Sequence, residues 1–114
     1  MDNDDIQFLA ATAWLFVRHG RSDRARPLLE ALLEERGAEV GVAAAMLAEI
    51  ELDEGDAEKA LITLRGAKFP RELERAEALL ETRALKMLGR QKEAENRWLR
   101  YVEAAKGANR KWVS

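Results

Sequence analysis

Cysteine is absent from this 114-residue chain, histidine occurs once and serine twice. Without cysteine, neither a disulfide nor thiol chemistry is available. With His19 as the one histidine, neither a histidine-rich metal site nor a Ser-His-Asp triad can be assembled. No G-x-x-x-x-G-K-[ST] loop is present to cradle a phosphate. Basic charge is not in excess: 19 Lys and Arg stand against 21 Asp and Glu, a net charge of −2. A nucleic-acid module needs a concentrated basic face to neutralise phosphates, so nucleic acid is not an expected partner. The longest apolar stretch, Ile6 to Val17, has 12 residues and is interrupted by Gln7 and Thr12. That is too short to span a bilayer, so no membrane insertion is expected. The opening MDNDD lacks the basic segment of a signal peptide. These absences together predict a cytoplasmic protein without a cofactor or metal.

Two prolines and seven glycines leave room for long helices. Ala, Leu, Glu, Arg and Lys dominate, and these are the strong helix formers. A hydrophobic share of 47% against 35% charged is a globular balance, and the length fits one domain. The glycines are placed with a period. The pattern G-x-x-x-x-A occurs at Gly20–Ala25, Gly55–Ala60 and Gly89–Ala94, with the alanines 35 and then 34 residues apart. That spacing is close to the period of the tetratricopeptide repeat. Leu29, Leu64 and Trp98 follow the alanines by four residues, and Phe16, Glu51 and Leu85 precede the glycines by four.

Physically, glycine tolerates the left-handed conformation that often ends a helix. A small alanine lets the next helix approach closely. Ser22 and Asp56 are the expected N-caps of the second and fourth helices. His19 should finish the first helix, where a cation favours the negative end of the dipole. The prediction is an all-α fold of six helices, near 4–19, 22–36, 40–54, 57–66, 71–88 and 91–106. They form three tetratricopeptide-like pairs stacked as a short right-handed solenoid. The domain covers 1–106, with repeats at about 6–37, 41–70 and 73–106, and 107–114 is left as a tail whose Trp112 could fold back.

Carboxylates cluster at Glu34-Glu35, at Glu49 with Glu51, and at Asp53-Glu54. In so charged a chain these are expected to form solvated helix faces, not a dry acid/base pair, and no enzyme activity is expected. The surface left to do work is the concave side lined by the first helix of each pair. Counting back from the glycines places Gln7, Ala10, Trp14, Val17 and Arg18 there from the first repeat. The second contributes Val42, Ala45, Glu49, Leu52 and Asp53, and the third Ala76, Leu79, Arg83, Lys86 and Met87. This apolar stripe with charged edges suits an amphipathic helix or an extended apolar segment. The Lys and Asn with which other members of this fold clamp a C-terminal carboxylate are missing, since Ala10 and Trp14 occupy the corresponding places. The first helix, which also carries Phe8 and Leu15, is apolar nearly all round and expects cover on all sides. A partner or a second copy of the chain would supply it.

The run Phe8-Leu9, Trp14-Leu15, Gly20, Arg24-Ala25, Leu28-Leu29-x-Ala31-Leu32-Leu33 resembles the first repeat of the small type III secretion chaperones of the YscY (SctY) type. The chain length, the three repeats and Tyr101-x-Glu103 also agree with that family. The resemblance implies a bacterial chaperone that binds a small secreted client of the YscX (SctX) type and engages an export-gate component with it. The needle-subunit chaperones of the YscG type share the size and the repeats. A general tetratricopeptide scaffold is the remaining alternative. The expected partner-binding residues are Phe8, Ala10, Trp14, Val17, Arg18, Val42, Ala45, Glu49, Leu52, Leu79, Arg83, Lys86 and Met87, and a homodimer is expected where the client is absent.

Overall fold

The three glycines that punctuate the sequence also close its turns. A computed structural model describes the backbone of residues 1–113, with the side chains of all but Ala38 and 108–113. The described residues form six α-helices: α1 (Asn3–Arg18), α2 (Ser22–Leu33), α3 (Ala38–Asp53), α4 (Ala57–Arg65), α5 (Glu74–Met87) and α6 (Gln91–Val113). A 3-10 turn at Arg71–Leu73 leads into α5. The fold is all-α, as expected.

Gly20, Gly55 and Gly89 have φ of 71°, 84° and 76°. In each case the following amide reaches back to a carbonyl five residues earlier: Arg21 to Phe16 at 2.7 Å, Asp56 to Glu51 at 2.8 Å and Arg90 to Leu85 at 2.9 Å. The glycine amides bond Val17, Leu52 and Lys86, which completes a Schellman motif three times over. The residue after the glycine then opens the next helix. The carbonyls of Arg21, Asp56 and Arg90 accept the amides of Ala25, Ala60 and Ala94 at 3.0–3.1 Å. This geometry corrects one expected cap. Arg21 occupies the N-cap of α2, so Ser22 is already the first helical residue and caps nothing. Asp56 does cap α4, accepting the Lys59 amide at 3.2 Å. At the start of the chain Asp2 and Asp5 form a capping box on α1.

Ala25, Ala60 and Ala94 are fully buried. Each helix packs against its neighbours in the chain, and α3 also touches α1 and α5. As the central helix, α3 therefore contributes to two cores. Ala43, Leu47 and Ile50 join Ile6, Ala13, Leu29 and Leu32 in the first. Ala48 and Leu52 join Leu61, Leu64 and Leu85 in the second. Near its N-terminus α3 passes close to the chain between α4 and α5. A Cβ at Gly41 would lie 2.7 Å from Pro70 Cδ and 3.2 Å from the Lys68 carbonyl. Only glycine fits that approach, which outweighs its usual cost inside a helix of about 1 kcal/mol.

Helix α6 is longer than the spacing predicts. It continues to Val113, through most of the segment expected as a tail. The reason is compositional. Gly107 and Asn109 are the weak helix formers among Ala104, Ala105, Lys106, Ala108, Arg110 and Lys111, and no proline interrupts 91–113. The Trp112 side chain and Ser114 lie outside the described residues.

Candidate partner-binding surface

Helix α1 is covered on one side only. Ile6 and Ala13 face the core, while Leu9, Ala10, Phe16 and Val17 are half-buried around them. Trp14 lies at the edge, and the Arg18 guanidinium sits over its ring at 4.9 Å. This contact holds a cation on the face of an exposed aromatic. Phe8 is exposed but projects about 120° round the helix from Trp14, at the usual turn of about 100° per residue. It therefore does not belong to the stripe that contains Trp14. Leu15 is exposed on the same outer side as Phe8.

On α3, Glu49 and Asp53 are exposed, and Val42 and Ala45 are half-buried. Leu52 is a correction: it is 2% exposed and belongs to the second core. It stands about 40° round the helix from buried Ala48 and about 100° from Asp53, on the side that α4 covers. Counting back from Gly55 gave it the place of Val17, but the cover that α4 and α5 add on α3 encloses it. On α5, Leu79 and Met87 are close to half exposed, at 46–47%, as is Trp14. Arg83 and Lys86 are exposed as well. Arg83 reaches across to Asp53, Nη2 to Oδ1 at 3.0 Å, which brings the expected stripes of α3 and α5 side by side. On α5, half-exposed Leu79 and Met87 thus lie one turn to either side of the Arg83 that pairs with α3. The exposed Ile62 on α4 and Leu99 on α6 were not among the expected contact residues. They stand two residues after Ala60 and five after Ala94, in different places of the repeat, so no periodic signal marks them.

The acidic pairs do not all lie in water. Glu51, expected beside Glu49 on a solvated face, is 1% exposed. It occupies the place of Phe16 and Leu85 in the other repeats, four residues before the glycine, and that place faces the following helix. Thr63 Oγ1 donates to Glu51 Oε1 at 2.6 Å, while Oε2 is buried with no hydrogen-bond partner. Glu81 is also buried and is held from both sides. Arg97 Nε donates to Oε2 at 3.0 Å and Arg65 Nη2 to Oε1 at 3.4 Å. Thr63 and Arg97 stand 34 residues apart. The same position of the second helix in a pair therefore serves both buried carboxylates.

Between α5 and α6 a cleft of about 470 Å³ is lined by Glu74, Glu77, Glu81, Arg97, Arg100, Tyr101 and Ala104. Burial raises the Glu77 carboxyl above its ordinary pKa; nearby Arg97 opposes the rise, and Glu81 and Glu74 add to it. Glu77 therefore favours the fold most at pH below the unfolded carboxylate range, and that contribution fades as pH rises through its folded pKa. Among the described residues, no three His, Asp or Glu side chains converge as metal ligands.

Glu51 supplies a direct test of this geometry. Glu51→Leu should stabilise the protein by about 1–3 kcal/mol, because it removes a buried carboxylate with one unpaired oxygen and restores the side chain of the third repeat. Thr63 can turn its hydroxyl to a carbonyl one turn back in its own helix. Urea melts would read the gain, and a loss of stability would mean that the carboxylate is better solvated than its burial implies.

No protein-family model, curated protein or solved structure matches this chain. No helix among the described residues is long and apolar enough to cross a membrane.

Proposed function

We propose that this protein is a cytoplasmic chaperone of a type III secretion system, without enzyme activity, and that its three helix pairs stack as a short right-handed solenoid. It holds a small secreted client of the YscX type and helps present it to an export-gate component. The observation that carries the reading is half-exposed Leu79 and Met87, one turn to either side of Arg83, which pairs with Asp53 on α3; Trp14 is exposed to the same degree on α1. Large apolar side chains left exposed close together mark a surface that something covers. The groove residues retained from the sequence are Ala10, Trp14, Val17, Arg18, Val42, Ala45, Glu49, Leu79, Arg83, Lys86 and Met87. The repeated glycine and alanine positions and the Phe8–Leu33 run support the family assignment.

Co-expression with a YscX-type polypeptide tests this reading, with a needle-subunit polypeptide as the comparison. The first should co-purify in a fixed ratio and the second should not; the reverse outcome would favour a needle chaperone, and capture of neither a general scaffold. Leu79→Glu should keep the melting temperature, since a change at an exposed site stays within about 0.5 kcal/mol. It should nevertheless abolish co-purification, because binding would bury an unpaired carboxylate. Trp14→Ala should weaken the complex by more than about 1 kcal/mol in calorimetry. A folded Leu79→Glu protein that captures the client at full strength would remove the groove from the proposal.

A further inference from the structure

Helix α1 carries a second stripe that shares only Arg18 with the groove. Asp4, Phe8, Ala11, Leu15 and Arg18 recur at alternating spacings of four and three residues, the spacing at which helices pair along a seam. The stripe lies on the side of α1 opposite Ile6 and Ala13, which face the core. Phe8 is 71% and Leu15 50% exposed, and Ala11 between them is exposed too. Asp4 and Arg18 join no ion pair among the described residues.

We propose that this outer stripe pairs with the same stripe of a second copy, with the two α1 helices antiparallel about a two-fold axis at Ala11. The order of the side chains selects both the partner and the direction. The stripe runs from an acid through an apolar residue, a small one and a second apolar residue to a base. Antiparallel pairing sets Asp4 against the partner copy's Arg18 and Phe8 against its Leu15, with alanine facing alanine where the helices approach closest. Parallel pairing would set acid against acid and base against base, which is unfavourable. A two-fold interface is self-complementary in this sense by construction. The patch is small for a specific interface, so the dimer should dissociate on dilution. Trp14 lies outside the seam, so the dimer draws only Arg18 from the groove.

Sedimentation velocity over a concentration series, on the protein alone, tests the proposal without reference to any client. Wild type should show a monomer–dimer equilibrium. Leu15→Glu should raise its dissociation constant at least about tenfold with the circular dichroism spectrum unchanged. Asp4→Lys should weaken the dimer, and Asp4→Lys with Arg18→Asp should restore it. Since the chain has no cysteine, Ala11→Cys introduces a single thiol on the two-fold axis. It should oxidise to a disulfide dimer much faster than Ile62→Cys, which is exposed on α4. A monomer at every concentration, a dimer indifferent to Leu15→Glu, or equal cross-linking of the two thiols would overturn the proposal. A monomer whose client capture is lost on Leu15→Glu would assign the stripe to the client and likewise overturn it.

Discussion

Glu81→Ala should destabilise the protein by about 3–5 kcal/mol, which for a domain with a total stability of about 5–15 kcal/mol is a large fraction. The effect comes from the residue left behind. Arg97 keeps only 14% of its side chain in solvent and donates through Nε to Glu81 at 3.0 Å. Without the carboxylate its guanidinium stays buried and unpaired. Arg65 adds little, since its side chain is about half exposed and water screens the contact. Glu77 lies near enough to Arg97 to offset part of the loss, which favours the lower end of the range. The repeat suggests the control. Leu47 stands 34 residues before Glu81, and Leu28 holds the place of Arg97 in the first pair. Glu81→Leu combined with Arg97→Leu should therefore recover most of the stability that Glu81→Ala loses. Urea melts of the single and double variants measure this. A loss below about 1 kcal/mol for Glu81→Ala would mean that water reaches Arg97 freely.

Ala60 is the other position where one side chain decides the fold. It is fully buried in the second core, with Leu61, Leu64 and Ala57 on its own helix and Ala48 and Leu52 on α3. Ala60→Leu should cost roughly 1–3 kcal/mol by forcing α3 and α4 apart. Ala60→Glu should cost several kcal/mol, because the carboxylate would enter a site with no donor to meet it. That variant should be largely unfolded at room temperature by circular dichroism, while Ala60→Leu should melt cooperatively at a lower temperature, about 4 °C for each kcal/mol. Since Ala25 and Ala94 are buried to the same extent in the equivalent places, leucine at either should act in the same direction. Unchanged melting midpoints for all three would show that the alanines do not mark the helix crossings.

The helices and turns were legible in the sequence because their signals are local. A glycine needs only its neighbours to adopt a left-handed conformation, and an alanine at a fixed distance marks a close crossing whatever the rest of the pair contains. Six helices, their order and the three buried alanines follow from that spacing. The cap of α2 was missed by one residue, since Arg21 both closes α1 through its amide and opens α2 through its carbonyl.

What covers each helix could not be read in this way. Leu52 and Glu51 were placed by counting along single helices, but their burial, like that of Glu81, depends on residues far along the chain. Glu51 meets Thr63, Glu81 meets Arg65 and Arg97, and Leu52 is enclosed with Leu61 and Leu85. Helix α3 is apolar through most of its turns and covered by neighbours on several sides. Helix α1 is comparably apolar but, among the described residues, packs chiefly on α2 and α3. The sequence by itself determined which segments are helical and where they cross, since backbone preference and side-chain size act within a turn. Only the tertiary structure decided which apolar faces are enclosed and which acids are buried, because desolvation is set by the elements packed around a side chain, not by its own helix.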